Sequence, residues 1–218
     1  MTDCTENDGP TTPYPRICAH RGLSALLPEN TLPAFEAAID AGAQEIEFDL
    51  RPTGDGRIAV RHDPIREDLP PDHLTFEGLL DRLARRVVMN IHVKSPEPIQ
   101  RIAAAIDRHS CREYVYITGN APVMEAALAH APGITRCCNA GNKDFTIVKQ
   151  ALHYKAQKLQ FYVPFLSQEL VDEARAHGIR CNVFFTDDPQ QAREFFEMGI
   201  DTVLTNNCAQ VKTKGEPS

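Results

Sequence analysis

Long apolar runs are missing from this chain: none approaches the roughly 18 residues a bilayer-crossing helix needs, which predicts a soluble protein. A surplus of basic charge is missing too. Lys and Arg number 23 against 30 Asp and Glu, for a formal charge of −7. With no basic stripe to release counterions from phosphates, no nucleic-acid partner is expected. The seven cysteines (Cys4, Cys18, Cys111, Cys137, Cys138, Cys181, Cys208) never take the paired spacing of a zinc ribbon or redox motif. Several fall in apolar strand-like runs, where a cysteine is usually a small core residue. Their odd number, with no signal peptide, predicts reduced thiols and a cytoplasmic location. Internal repeats, low-complexity tracts and a second domain are also lacking.

What is present suits one globular domain. Hydrophobic residues make up 42% of the 218, enough to bury a substantial core. Residues 1–14 are polar and broken by Pro and Gly, a flexible lead-in. Residues 15–212 carry the domain, and 213–218 form a flexible tail. Short β-rich runs at Ile17–His20, Glu45–Leu50, Val87–Lys94, Tyr114–Thr118, Ile134–Cys138, Leu159–Val163, Cys181–Phe185 and Thr202–Thr205 alternate with helical patterns. The helices are expected at Thr31–Ala41, Thr75–Ala84, Ile99–His109, Pro122–Ala131, Phe145–Tyr154, Gln168–His177 and Pro189–Met198. Thr31, Ser167 and Asp188 stand where N-caps belong, and Gly42, Gly178 and Gly199 follow their helices. Eight alternating units predict an α/β fold, a (β/α)₈ TIM barrel, in preference to an open doubly wound sheet. An extra short strand at Arg57–Arg61 follows the second barrel strand through the turn Thr53-Gly54-Asp55-Gly56.

Chemistry-bearing residues gather at the strand ends. Glu47 and Asp49 are two apart in one strand, so both carboxylates face the same side while Phe48 packs the other way. Two like charges there are costly unless a cation sits between them, and oxygen donors suit Mg²⁺ or Ca²⁺. The alternative is a solvated strand end, with Glu45 a third exposed acid. His20 and Arg21 precede Gly22 at the end of the first strand: an imidazole able to move protons near neutral pH, and a guanidinium able to grip two phosphate oxygens. His62-Asp63-Pro64 ends the extra strand and returns to the same mouth. Asn90, His92 and Lys94 share a face of the third barrel strand. Any one of these residues alone is more simply structural; their convergence on one barrel mouth is not.

In order and spacing, His20-Arg21-Gly22, Pro28-Glu29-Asn30-Thr31, Gly42-Ala43 with Glu47-x-Asp49, and His62-Asp63 resemble the N-terminal signature of the glycerophosphodiester phosphodiesterase family. The signature covers residues 16–64. The rest of the chain resembles the family more loosely, through Asn90-Ile91-x-Val93-Lys94, Glu169-Leu170-Val171 with Gly178, and Gly199-Ile200-Asp201 with Leu204-Thr205. The resemblance implies a barrel whose active site lies at the strand C-terminal ends. It implies catalytic histidines at His20 and His62, phosphate contacts from Arg21 and Lys94, support from Glu29 and Asn30, and one divalent cation on Glu47, Asp49 and a third acid. Three departures stand out. His92 occupies the place of that third acid, and an imidazole ligand shifts preference toward Zn²⁺, Mn²⁺, Co²⁺ or Ni²⁺. The stretch from Pro64 to Leu74 is short where many members insert a small subdomain, which predicts a more open mouth. Phe184 and Asn206 replace the family's frequent Trp and Asp, leaving a chain with no Trp.

The expected function is metal-dependent hydrolysis of a small-molecule glycerophosphodiester to an alcohol and a glycerol phosphate. One histidine would serve as base and the other as acid, in an order the sequence leaves open. Other readings are a non-catalytic phosphoryl-ligand-binding barrel, a phospholipase D-like variant acting on lysophospholipids, and an aldolase-like barrel with Lys94 as Schiff-base lysine.

Overall fold

The computed structural model describes residues 13–139 and 147–211. Most of the lead-in, the tail and the first two residues of the helix expected at Phe145–Tyr154 lie outside the described residues.

Nine strands alternate with seven α-helices: β1 (Arg16–His20), α1 (Leu32–Asp40), β2 (Glu45–Pro52), β3 (Ile58–Val60), α2 (Phe76–Leu83), β4 (Val88–Val93), α3 (Ile99–Arg108), β5 (Val115–Gly119), α4 (Ala121–His130), β6 (Thr135–Asn139), α5 (Ile147–His153), β7 (Lys158–Tyr162), α6 (Gln168–Ala176), β8 (Arg180–Phe184), α7 (Pro189–Met198) and β9 (Thr202–Thr205). Eight of the strands are parallel, and β1 pairs with both β2 and β9, so the sheet closes into the expected TIM barrel. The ninth, β3, pairs antiparallel with the end of β2 outside the ring.

Local chemistry sets these boundaries. Thr31, Thr75, Asn120, Ser167 and Asp188 each accept a hydrogen bond from a backbone N–H of the first helical turn. Pro189 starts α7 with φ already suited to a helix, and Gly199 ends it in the left-handed region at φ 98°. Strand alternation then sorts the side chains into two cores. Ile46, Phe48 and Leu50 point outward and pack against helices, with Phe48 ring-to-ring against Phe35 and Phe76 at 5.8 and 6.2 Å. The inward face of the ring is far less aliphatic than a TIM barrel's usual filling. Its apolar cluster is Val88, Tyr116 and Cys137, and around it lie ions.

Those ions correct one reading of the sequence. Glu45 is not an exposed acid but fully buried inside the barrel. It pairs with Arg16 at 3.1 Å and Lys158 at 3.5 Å, and accepts a hydrogen bond from the Tyr116 hydroxyl at 2.6 Å. Tyr14, assigned to the lead-in, packs beneath: Lys158 donates to its hydroxyl, and the guanidinium carbons of Arg16 and Arg180 lie 4.1 and 4.2 Å from its ring centre. Burial is the largest influence and opposes the charge on Lys158, but Glu45, Tyr14 and Cys137 together outweigh it and hold the ammonium's pKa above the ordinary lysine value. Removing the carboxylate would take from two buried cations the acid they share. Glu45→Ala should therefore lower unfolding free energy by about 3–5 kcal/mol in urea titrations, and adding Lys158→Met should recover part of that loss.

Candidate active site

The C-terminal mouth of the barrel is built from the loops after β1, β2 and β4. At the end of β1 the chain turns sharply: Arg21 and Gly22 both take positive φ, 57° and 83°. Gly22 is needed twice over, because a Cβ there would lie 2.7 Å from the Ala34 backbone. The turn is held by Arg21 N–H, which donates to the backbone and the side-chain carboxylate of Glu47 at 2.9 and 3.1 Å. Asn30, also at φ 57°, pins the next acid from both sides: its Nδ2 donates to Asp49 Oδ2 and its Oδ1 accepts from the Asp49 N–H.

Around this frame the charges converge. Asp49 is buried and forms ion pairs with Lys94 Nζ at 2.5 Å and Arg21 Nε at 3.2 Å. Burial pushes its pKa up, but the Lys94 charge, with the Asn30 hydrogen bond, prevails and holds it below the usual carboxylate range. Glu29 caps the other end of the Arg21 guanidinium at 2.8 Å. His92 Nδ1 lies 3.5 Å from both Glu47 Oε1 and Asp49 Oδ1, and accepts from Lys94 Nζ at 3.0 Å. An ammonium has no lone pair, so that contact requires an unprotonated Nδ1 directed at the two carboxylates. Glu47, Asp49 and His92 offer ligand atoms within 4.8 Å of one another. Two carboxylate oxygens and a neutral imidazole nitrogen are a chemically sound donor set for a divalent cation.

His20 completes the cluster from β1, with Nε2 3.9 Å from Glu47 Oε2. Its Nδ1 lies 2.7 Å from Asn206 Oδ1. Asn206 in turn gives its amide Nδ2 to Asp187 Oδ2 at 2.9 Å and its backbone N–H to Asp187 Oδ1 at 2.6 Å. Because Asp187 can only accept, the Asn206 carbonyl must face His20, and His20 must donate through Nδ1. That leaves Nε2 directed toward Glu47. Burial raises the Asp187 pKa, but hydrogen bonds from Asn206 and Thr205 outweigh it and keep the group below the usual range.

The structure thus brings together His20, Arg21, Glu29, Asn30, Glu47, Asp49, His92 and Lys94. His62 stands apart. It follows Arg61, whose N–H binds the Asp49 carbonyl, and its exposed imidazole, among the described residues, pairs with Asp63 alone, at 3.0 Å. Asn90 lies deeper in the barrel, accepting from Thr118 and donating to Gln160. The sequence reading missed Asp187 and the role of Asn206. The signal was there for Asn206, since period-two alternation along β9 carries the face of Thr202 and Leu204 to position 206. Asp187 lies on a loop, where no periodicity marks it.

A closed parallel barrel with an acid and imidazole cluster at its C-terminal mouth defines a TIM-barrel protein with a candidate metal site. Comparison with known proteins places it further. Residues 20–105 match the Glycerophosphoryl diester phosphodiesterase family. A glycerophosphodiester phosphodiesterase of Caldanaerobacter subterraneus subsp. tengcongensis is 22% identical, across 88% of this chain and 93% of the relative. One from Bacillus altitudinis is 54% identical over 48 residues, 22% of this chain and about a fifth (20%) of that protein. The fold is shared with an Oleispira antarctica phosphodiesterase solved with sn-glycerol-3-phosphate (TM-score 0.80, 19% identity, 91% and 95% coverage). It is shared also with a glycerophosphodiester phosphodiesterase of Agrobacterium tumefaciens (TM-score 0.78, 19% identity, 89% and 97% coverage). The chain thus resembles the glycerophosphodiester phosphodiesterase family over residues 20–105, and shares the fold of its solved members over most of its length.

The tautomer argument is directly measurable. Nitrogen-15 imidazole spectra at neutral pH should show His20 protonated at Nδ1 and bare at Nε2. Asn206→Ala should give a mixture of tautomers, whereas Asp187→Asn should shift the balance less.

Proposed function

We propose that this protein is a phosphoric diester hydrolase that cleaves glycerophosphodiester-type substrates to an alcohol and a glycerol phosphate. The observation that carries the reading is the position of His20: its Nδ1 is held by Asn206 and its Nε2 lies 3.9 Å from Glu47, itself grouped with Asp49 and His92 as candidate metal ligands. The names of the relatives and the glycerol-3-phosphate complex of a structural neighbour support the substrate class.

Glu47, Asp49 and His92 would hold one divalent cation. Bound there, it supplies positive charge for the non-bridging phosphate oxygens. Arg21 and Lys94 supply more from the same side of the mouth, and such preorganised charge is the largest single effect in this chemistry. His20, in its Nε2-acceptor form, suits the base that takes a proton from the attacking hydroxyl, whether the substrate's own or a water's. His62, exposed just beyond the end of β2, suits the acid that protonates the leaving alkoxide. Asn206 and Asp187 hold His20 in register, and Asn30 and Glu29 do the same for Asp49 and Arg21. The non-catalytic and Schiff-base readings lack comparable support: the Lys94 ammonium is engaged by Asp49 rather than desolvated and free.

Two measurements test this. Changing His20 or His62 to Ala should lower turnover of glycerophosphoethanolamine by at least ~10²-fold with the fold intact by circular dichroism. Activity retained in both variants refutes the mechanism. Separately, calorimetric titration should show Glu47→Gln and Asp49→Asn each weakening Mg²⁺ and Zn²⁺ binding. His92→Glu should tighten Mg²⁺ and Ca²⁺ and reduce the preference for Zn²⁺. If His92→Ala leaves every dissociation constant within about threefold of wild type, His92 is no ligand.

A further inference from the structure

The His92 ring has two nitrogens, and each has polar neighbours. Nδ1 faces Glu47 Oε1, Asp49 Oδ1 and the Lys94 ammonium. Nε2 faces Asn139, the last residue of β6, whose amide Nδ2 lies 3.5 Å away. Strand register brings the two together: His92 is level with Thr118 of β5, and Thr118 with Cys137 of β6. Asn139, two residues further on, projects from the same face as Cys137. It is 8% exposed, and its Oδ1 is buried with no hydrogen-bond partner among the described residues.

These contacts are not independent, because a neutral imidazole has one N–H and one lone pair. The Lys94 ammonium can only donate, so the lone pair is on Nδ1 and the proton on Nε2. The reverse assignment would set an N–H against an ammonium at 3.0 Å. An N–H at Nε2 needs an acceptor, and an amide NH₂ is not one. The network therefore turns the Asn139 amide over, so that Oδ1 accepts from His92 Nε2–H. Oδ1 thereby gains the partner that the other orientation denies it.

Resting on the proposed cation site, we propose that Asn139 is a positioning residue that makes His92 an Nδ1 ligand. Without it the two carboxylates would draw the ring proton to Nδ1, since each accepts an N–H and each lies 3.5 Å from that nitrogen. With Nε2–H held by Asn139, His92 presents a lone pair where Glu47 and Asp49 present their oxygens. An acceptor on the second nitrogen orients a metal-binding imidazole, and its loss weakens the site. The ions most affected are those that favour nitrogen donors, such as Zn²⁺, rather than Mg²⁺.

The first measurement uses the metal-free protein. Nitrogen-15 imidazole spectra at neutral pH should show His92 protonated at Nε2. In Asn139→Leu, which fills the space without offering an acceptor, the proton should move toward Nδ1. In Asn139→Asp, which keeps the acceptor, it should stay on Nε2. Calorimetric titration should then show Zn²⁺ bound ~10-fold more weakly by Asn139→Leu and at least as tightly by Asn139→Asp, with Mg²⁺ affinity in Asn139→Leu within about threefold of wild type. In a His92→Ala background, Asn139→Leu should change Zn²⁺ affinity no further, a result that mere packing of the barrel would not give. The proposal is overturned if His92 keeps its Nε2 proton in Asn139→Leu. It is overturned equally if that variant keeps its Zn²⁺ affinity, loses Zn²⁺ and Mg²⁺ alike, or still loses Zn²⁺ when His92 is absent. The cation site itself fails by a different result, unchanged binding of both ions in Glu47→Gln and Asp49→Asn.

Discussion

Three carboxylates on one face of one strand impose the constraint around which this barrel is organised. Glu45, Glu47 and Asp49 alternate along β2 and all three point into the ring, where each is almost wholly buried. A buried charge must be compensated or it is costly, and the three are compensated differently. Glu45 has two cations and a phenol. Asp49 has an ammonium, a guanidinium and an amide. Between them, Glu47 has a backbone N–H and, as ion-pair neighbours among the described residues, only the imidazoles of His20 and His92. The electrostatic deficit is greatest at the centre of the candidate site, and an external cation would act there.

This gradient also divides the barrel into a lower half concerned with folding and an upper half concerned with chemistry. Below, Arg16, Lys158 and Tyr14 close the ring with contacts among themselves and Glu45. Above, the partners of Asp49 belong to residues that would be shared with a ligand. Arg21 and Lys94 hold Asp49 now, yet both are cations suited to phosphate.

Much of this was legible in the sequence, for reasons that are local. Strand ends and caps follow from residue type, so the barrel strands and helices fall within about two residues of their expected places. The shared face of Glu47 and Asp49, and of His92 and Lys94, follows from alternation alone. What escaped is long-range. Nothing near Glu45 in sequence announces Arg16, which reaches it from the neighbouring β1, or Lys158, which reaches it across the ring from β7, so it read as a surface acid. Asp187 fixes His20 only through Asn206, a chain of three residues joined by tertiary structure. His62 and Asp63 are adjacent, so their pairing was local, but the distance of that pair from the metal-ligand group depends on how β3 departs from the ring.

Lys94 shows how closely the parts are linked. Its ammonium lies between Asp49 Oδ1 and His92 Nδ1, the two atoms that a cation would claim as ligands. Ammonium and divalent ion cannot hold the same oxygen at full strength, because like charges at such separations repel strongly in a site of low dielectric. The lysine has four methylene groups and the mouth above it is open, so it can give up Asp49 without losing its anchorage on β4. Its next partner would be the phosphodiester. A carboxylate in place of His92 would offer the ammonium another acid to rest on. A neutral imidazole makes that alternative weaker, and so would leave the charge of Lys94 freer for an anionic ligand.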